Sequence, residues 1–545
     1  MNQTLSVRIL TLFILTLCLP IAALEAAPTV TKILNNSSLI PPGLPNYGIA
    51  PSSIFIVQGT GLADAGTPVL QDTQAPGGIP LTLNGASITV VVNNVTTHPA
   101  LYYTSPAQLA AVLPAGTPVG TGTLTVNYRG ANSAPATIQV VASAVGINHF
   151  NQIPIPAPFF NENVDIGVAT DAFSGALLTS TRSGTPGQTI VIWATGLGAD
   201  PADSDNTYIT SPSAINTPMQ VYLGGVLVPL IYQGASTYPG VDVIIFTIPA
   251  SSPTGCYVSL AAVTGNVISN VVVLPIHPGG GSCVEPVLGI TGDQILQNTQ
   301  DTLRSGVLGL VQTNSTNSKG VLTVSNSAGA SFQKYTGLLA AATGRGGLVS
   351  PGGCAVGPLS AGGPLTQVGL DPGTITFTGP AGPVTLPLEL GIKGMYGAIL
   401  ATGGIPSSGG TFTFSGSGGV DVGSFSSTVT LSNPILNWTN QSAAVTLDRT
   451  QGLLVTWAGG NPGTSVVISG SSTIATNPPL IAGFGCRVAA EKGQFTVPSY
   501  ILQGLPAGSG GVNVQNDVFS TFSASGLDSP STGGTISFSQ AATIK

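Results

Sequence analysis

Hydrophobic positions in this chain come in short runs that alternate with Ser, Thr, Asn and Gln and are cut by Gly or Pro. A period of two sends successive side chains to opposite faces of a strand, and β-branched residues favour that state. Strands are expected at 88–92, 123–128 and 137–141, and again at 188–194, 219–223 and 241–248, with a hairpin over 257–263 and 267–273. In the second half the runs at 374–378, 384–387, 396–400, 411–415, 425–431, 453–457, 465–469, 494–497 and 518–523 read the same way. Only 293–304 differs: Ile295, Leu296, Thr299 and Leu303 fall near helical spacing with Gly306 behind them, which predicts one short helix. At Ile54, Phe55, Ile56 and Val57 the alternation fails because all four are apolar. That suits a strand covered on both faces or packed at a domain junction.

One strand-and-turn phrase occurs twice. The segment 53–62, SIFIVQGTGL, reappears at 189–198 as TIVIWATGLG, each a β-rich run broken by Thr-Gly-Leu. The sequence downstream matches too. Val92-Asn-Asn-Val95, Leu101-Tyr-Tyr103 and Ala111-Val-Leu-Pro114 correspond to Leu223-Gly-Gly-Val226, Leu230-Ile-Tyr232 and Phe246-Thr-Ile-Pro249. Duplication of this kind predicts tandem domains. The organisation expected is a signal peptide at 1–27, domains at 28–144 and 145–278, a linker at 279–292, a β-rich domain at 293–415 and a C-terminal β-sandwich at 416–545. The fold class is all-β: tandem immunoglobulin-like sandwiches followed by one or two further β-sandwich domains.

Around Gly59-Thr-Gly-Leu62 and Ala194-Thr-Gly-Leu197 each copy resembles an immunoglobulin-like IPT/TIG domain, the second copy departing from the Gly-x-Gly-Leu phrase at its first Gly. The pair is similar to the paired modules of acidobacterial secreted proteins. The C-terminal half is similar in texture to a second module of such proteins, through Gly419-Val-Asp-Val-Gly423, Val455-Thr-Trp-Ala-Gly-Gly460 and Gly493-Gln-Phe-Thr-Val-Pro498. The resemblance implies a fold, and binding or spacing rather than catalysis.

Composition narrows the function classes. Charged residues are 6% of the chain against 42% hydrophobic, with 73 Gly and 43 Pro, so the surface must be solvated by hydroxyls and amides rather than by the charges of long helices. The net charge of −7 and the lack of any basic stripe exclude nucleic acid. Arg8, the apolar stretch 9–19 and the small residues 22–27 read as a leader. No other run is long and apolar enough to span a bilayer, which takes about 20 residues. Export makes Cys256, Cys283, Cys354 and Cys486 disulfide candidates. The 257–273 hairpin brings its ends together, so Cys283 is expected to return to Cys256, leaving Cys354 for Cys486. Zinc fails on spacing.

Candidate chemistry is sparse. His98, His149 and His277 stand in no recognisable catalytic motif, and neither a Gly-x-Ser-x-Gly elbow nor a His-Glu-x-x-His helix is present; no catalytic residue and no required cofactor are expected. Asp200, Asp203 and Asp205 cluster behind the second Thr-Gly-Leu, where oxygen ligands could encircle calcium. Trp457 shares a face with Leu453 and Val455, and Trp193 with Val191, which reads as core for both. Tyr238, in a Gly- and Pro-bounded loop, is the exposed ring on which a ligand could stack. The chain is therefore expected to be an exported binding, adhesion or spacer component. An accessory carbohydrate-binding protein is the alternative, and a hydrolase with a site in the C-terminal half the third reading. The partner is a polysaccharide or a cell-surface protein, and the oligomeric state is left open.

Overall fold

The computed structural model describes residues 27–64, 69–70, 77–152, 162–200, 204–286, 289–297, 302–336, 344–345, 349–359, 366–476 and 479–545. The leader expected at 1–27 lies, but for its last residue, outside them. Nearly all regular structure is β. Among the described residues no helix is long and apolar enough to cross a membrane.

The first module consists of β1 (Thr29–Asn35), β2 (Ile54–Thr60), β3 (Ala86–Val92), β4 (Val95–Thr97), β5 (Ala100–Thr104), β6 (Gln108–Val112), β7 (Gly120–Tyr128) and β8 (Ala136–Val140). One sheet runs β1-β2-β6-β5 and the other β8-β7-β3-β4, with short edge pieces beside them. The second module repeats the plan. Its strands are β9 (Gly146–Ile147), β10 (His149–Gln152), β11 (Glu162–Gly167), β12 (Thr189–Thr195), β13 (Met219–Leu223), β14 (Val226–Val228), β15 (Leu230–Ala235), β16 (Asp242–Thr247), β17 (Gly255–Thr264) and β18 (Val272–Ile276). Its sheets run β9-β12-β16-β15 and β18-β17-β13-β14, with the inserted hairpin β10-β11 added beside β18. This is the strand order of an immunoglobulin sandwich with an extra short strand beside the third.

The repeated phrase has one structural job in both copies. β2 and β12 end at Thr60 and Thr195, Gly61 and Gly196 turn the chain at φ +63° and +99°, and Leu62 and Leu197 drop into the module cores with no exposure. The Leu62 N–H donates to the Pro106 carbonyl at 3.0 Å, whereas the Leu197 N–H donates to the buried Asp242 carboxylate at 2.8 Å. The matched Asn93-Asn94 and Gly224-Gly225 pairs all have positive φ and close two-residue hairpins between Val92 and Val95 and between Leu223 and Val226, the turn that suits strand twist. The all-apolar 54–57 run is indeed covered on both sides. Phe55 and Val57 enter the first core, while Ile56 packs with Leu34 and Ala110 beneath Tyr47, Tyr102 and Tyr103.

The C-terminal half is built on one large sheet. Its main strands are β19 (Thr302–Thr316), β20 (Leu322–Thr336), β21 (Cys354–Pro358), β22 (Ser465–Ile474), β23 (Leu480–Ala489), β24 (Gly508–Thr521) and β25 (Ser529–Ile544), in the order β21-β23-β22-β24-β25-β19-β20. A four-stranded sheet around Phe377, Phe412 and Phe414 and a three-stranded sheet carrying Trp438 and Trp457 share its core. Residues on both sides of 415/416 lie in that core, and β19 pairs in parallel with the C-terminal β25. The expected helix is cut short: it covers Gly292–Gln297, and by Thr302 the chain is already in β19. Cross-strand pairing over the whole of β19 and β20 overrides the local helical spacing of Leu303.

The second module and the C-terminal body are not separate. Every residue of β17 is buried. Val258, Leu260 and Ala262 face the second core, while Ala261 and Val263, with Ile268, Ile40 and Leu44, belong to the core of the C-terminal body. Tyr222 stacks on Tyr500 at 4.1 Å across the same contact. Disulfides join Cys256 to Cys283 and Cys354 to Cys486, the latter linking directly opposed residues of β21 and β23.

The two turn glycines are expected to differ on substitution. A Cβ at Gly61 would meet nothing nearer than 4.0 Å, but one at Gly196 would sit 2.3 Å from the Ala144 carbonyl oxygen. Gly61→Ala should cost about 1–2 kcal/mol, the ordinary penalty of left-handed backbone, and Gly196→Ala distinctly more, read from urea midpoints of the full chain. Equal losses would contradict the close approach at Gly196.

Candidate functional site

A cleft of about 940 Å³ lies between the face of the big sheet and the two tandem modules. Strand alternation builds its floor. In β24, Val512, Val514 and Asn516 turn into the core while Asn513, Gln515 and Asp517 face the cleft. In β22, Val466 and Ile468 are core and Ser469 and Ser471 line the floor. Ladder register then aligns these positions across six strands as Ala355, Gly485, Ser469, Asn513, Ser539 and Ser315. The next row, Gly357, Gly483, Ser471, Gly511 and Ala541, is smaller still. Rows of Gly, Ala and Ser leave room above the backbone, so the floor is a trough. With strands about 4.8 Å apart, six of them make it about 24 Å long.

Larger polar side chains cross this trough as a hydrogen-bonded ladder. The Asn513 amide donates to Gln515 Oε1 at 2.9 Å, the Gln515 amide to Asp517 Oδ2 at 2.9 Å, and the Thr535 hydroxyl to Asp517 Oδ1 at 2.7 Å. Such a chain fixes its members and polarises each in turn. Phe519, 42% exposed, follows on the same face of β24. Ser38, Ile40 and Asn46 from the loop after β1, Val164 and Asp165 from β11, and Asn270 form the opposite wall. Asn46 is buried; its amide donates to the Ile268 carbonyl at 3.0 Å, and among the described residues its Oδ1 accepts no hydrogen bond. Asp165 lies 3.7 Å from His149 Nε2, both side chains about nine-tenths buried. Besides Asp165 and Asp517, the ionisable side chain in the lining is that of Arg487.

Of the residues singled out from sequence as a ligand site, Asp200, Asp205 and Tyr238 lie outside this cleft. Asp200 is buried and accepts a hydrogen bond from the Ser213 hydroxyl. Asp205 accepts the Ala115 N–H at 2.8 Å from the first module, and burial holds its carboxyl above the usual range against the opposing effect of that bond. Asp203 lies outside the described residues. Among the described residues no three His, Cys, Asp or Glu side chains are grouped to hold a metal ion. The 204–208 segment serves the module junction, as does the Tyr238 loop. Ile79 N–H donates to the Asn206 carbonyl at 2.7 Å, the Tyr102 hydroxyl to the Pro239 carbonyl at 2.8 Å, and Ile54 N–H to Thr195 Oγ1 at 2.9 Å.

Tyr238 is half-buried and meets Tyr208 edge-on at 5.5 Å and Trp193 at 6.3 Å. Trp193 corrects an expectation. Ile190, Ile192 and Ala194 of β12 take the core, so Val191 and Trp193 turn to the outer face and stay half-exposed. Trp457 is core, and its indole N–H donates to the Ala490 carbonyl at 2.8 Å. Sequence reasoning missed the cleft ladder, which register completes by setting Thr535 opposite Asp517, and the His149–Asp165 pair on adjacent strands. The alternation of Asn513, Gln515 and Asp517 with Val512 and Val514 was the available signal.

No known protein family matches the chain, and no curated protein matches it. Among solved structures, the S-layer protein rSbsC aligns at 11% identity over 95% of this chain with a TM-score of 0.15, and the chain spans 54% of its length. A titin tandem of immunoglobulin domains aligns at 8% identity over 46% of this chain and 97% of its own, with a TM-score of 0.12. The Bacteroides ovatus protein SGBP-B, in complex with a mixed-linkage heptasaccharide, aligns at 10% identity over 75% of this chain and 84% of its own, with a TM-score of 0.13. Superpositions this poor carry no argument, and the immunoglobulin assignment rests on the strand order described above.

Asp205 gives the junction a pH dependence. Its folded pKa lies above its unfolded one, so its contribution to stability is greatest at acid pH and declines as pH rises through the folded value. Asp205→Asn keeps an acceptor for Ala115 and is expected to flatten that part of the stability profile above the ordinary carboxylate pKa of about 4, in urea titrations. An unchanged slope would place its origin elsewhere.

Proposed function

We propose that this chain works outside the cytoplasm as a non-catalytic binding protein whose ligand lies in the cleft between the tandem modules and the C-terminal sheet. The observation that carries this reading is the cleft itself: a concave trough with convergent polar groups on a rigid double wall, at the upper end of the roughly 300–1,000 Å³ of small-molecule sites. Two disulfides support an oxidising compartment. The resemblance of the repeated phrase to IPT/TIG modules supports binding over turnover. Asp517 has both carboxylate oxygens engaged by Thr535 and Gln515, which suits a fixed recognition element better than a proton carrier. Adhesion or spacing is served by the same body, since the modules are tied to one another and to the large sheet.

The mature protein, immobilised and exposed to cell-surface and polysaccharide fractions, is expected to retain material. Ser469→Trp, at a half-exposed position on the trough floor, should reduce that retention by roughly tenfold or more with the urea midpoint unchanged. Equal retention by parent and variant would remove the cleft from the function.

A further inference from the structure

The chemistry of the lining selects among ligand classes. Its charges are largely spoken for within the protein: Asp517 is bound by Thr535 and Gln515, and Asp165 lies beside His149. Two carboxylates against the single guanidinium of Arg487 disfavour an anion, and the lining sets apolar side chains such as Ile40, Val164, Val273 and Leu359 beside a floor of Gly, Ser and Asn, a mixture that matches the apolar faces and polar rim of a sugar ring. What the floor presents is neutral: hydroxyls of Ser469, Ser471 and Ser539 and the amides of Asn513 and Gln515. Each of these groups both donates and accepts, as a sugar hydroxyl does. Phe519 adds one exposed ring at the end of the ladder, the apolar surface on which the C–H face of a sugar ring can lie. A separate observation comes from the opposite wall. Asn46 is more than nine-tenths buried, its amide is committed to Ile268, and among the described residues its Oδ1 has no donor, a state that costs free energy.

Building on the binding reading above, we propose that the cleft takes a neutral oligosaccharide. The trough, about 24 Å long, accommodates a chain of several sugar rings rather than one. The Asn513–Gln515–Asp517 ladder reads ring hydroxyls from the floor, and Phe519 stacks against one ring. The ladder is assembled before the ligand arrives, so little side-chain entropy is lost on binding.

The test uses the full mature chain and hexasaccharides of β-glucan, mannan, xylan and chitin as probes, with inorganic phosphate and a polyglutamate peptide as the contrasting ones. Calorimetry is expected to show saturable binding of at least one neutral hexasaccharide, weakened roughly tenfold or more by Asn513→Ala with Gln515→Ala. Phe519→Ala should weaken it as well, and Phe519→Tyr, which keeps the ring, should not. Urea midpoints separate lost binding from lost fold. Binding that persists in the ladder and ring variants overturns the proposal, as does a cleft filled by phosphate or the acidic peptide. If no saccharide binds but protease-sensitive surface material is retained and Ser469→Trp releases it, the ligand class is wrong and the binding function stands. If Ser469→Trp changes nothing, both fall.

Discussion

The outer face of β17 is the contact on which the rest depends. A strand of an immunoglobulin-like sandwich ordinarily shows one face to its own core and the other to water, and here both are dry. Ala261 and Val263 pass into the core of the C-terminal body together with Ile268, Ile40 and Leu44, while Val258, Leu260 and Ala262 hold the second module together. Burying apolar area is worth about 25 cal/mol per Å². A chain with 6% charged residues has few ways to solvate such a face, so fusion of the two bodies is the natural outcome. It also sets the distance between the large sheet and the modules, and thereby creates the cleft.

Polar ties then fix the arrangement without adding charge to the surface. Glu285 is fully buried and accepts the Ser350 hydroxyl at 2.7 Å and the Cys256 N–H at 3.2 Å. It lies close enough to Tyr257 for its charge to reinforce burial in raising that phenol's pKa. The Cys256–Cys283 disulfide closes the same region. Burial likewise pushes the Tyr47 phenol up to about 12, and its hydroxyl donates to the Ile33 carbonyl at 3.0 Å beside Asn46. The first module is held to the second by a mixture of main-chain and side-chain groups: Ile54 N–H to Thr195 Oγ1, Ile79 N–H to the Asn206 carbonyl, Ala115 N–H to Asp205 and the Tyr102 hydroxyl to the Pro239 carbonyl.

Local signals and structure agree where a residue's role depends on its neighbours in the chain. Thr-Gly-Leu marks a strand exit, a left-handed turn and a core plug in both modules, and Asn93-Asn94 and Gly224-Gly225 mark tight hairpins. The unbroken apolar run at 54–57 foretells a strand covered twice. Legibility ends with the long strands of the C-terminal half. β24 begins Gly-Ser-Gly-Gly and β25 contains Ser-Pro-Ser-Thr-Gly-Gly, compositions that read as loops because Gly and Ser have weak strand preference alone. Pairing on both sides overrides that weakness. Trp193 fails for a related reason: period two says which residues share a face, and only packing says which face is inside.

What the sequence determined by itself is the β class, the duplication, and a surface of hydroxyls and amides, because these follow from composition, period and turn chemistry over a few residues. Tertiary structure alone decided that Thr535 closes the Asn513–Gln515–Asp517 ladder, that Asn46 stands in the wall opposite, and that Asp205 faces the first module. Those relations depend on strand register and on contacts between residues from about twenty to hundreds of positions apart, and no local preference encodes a distance of that kind.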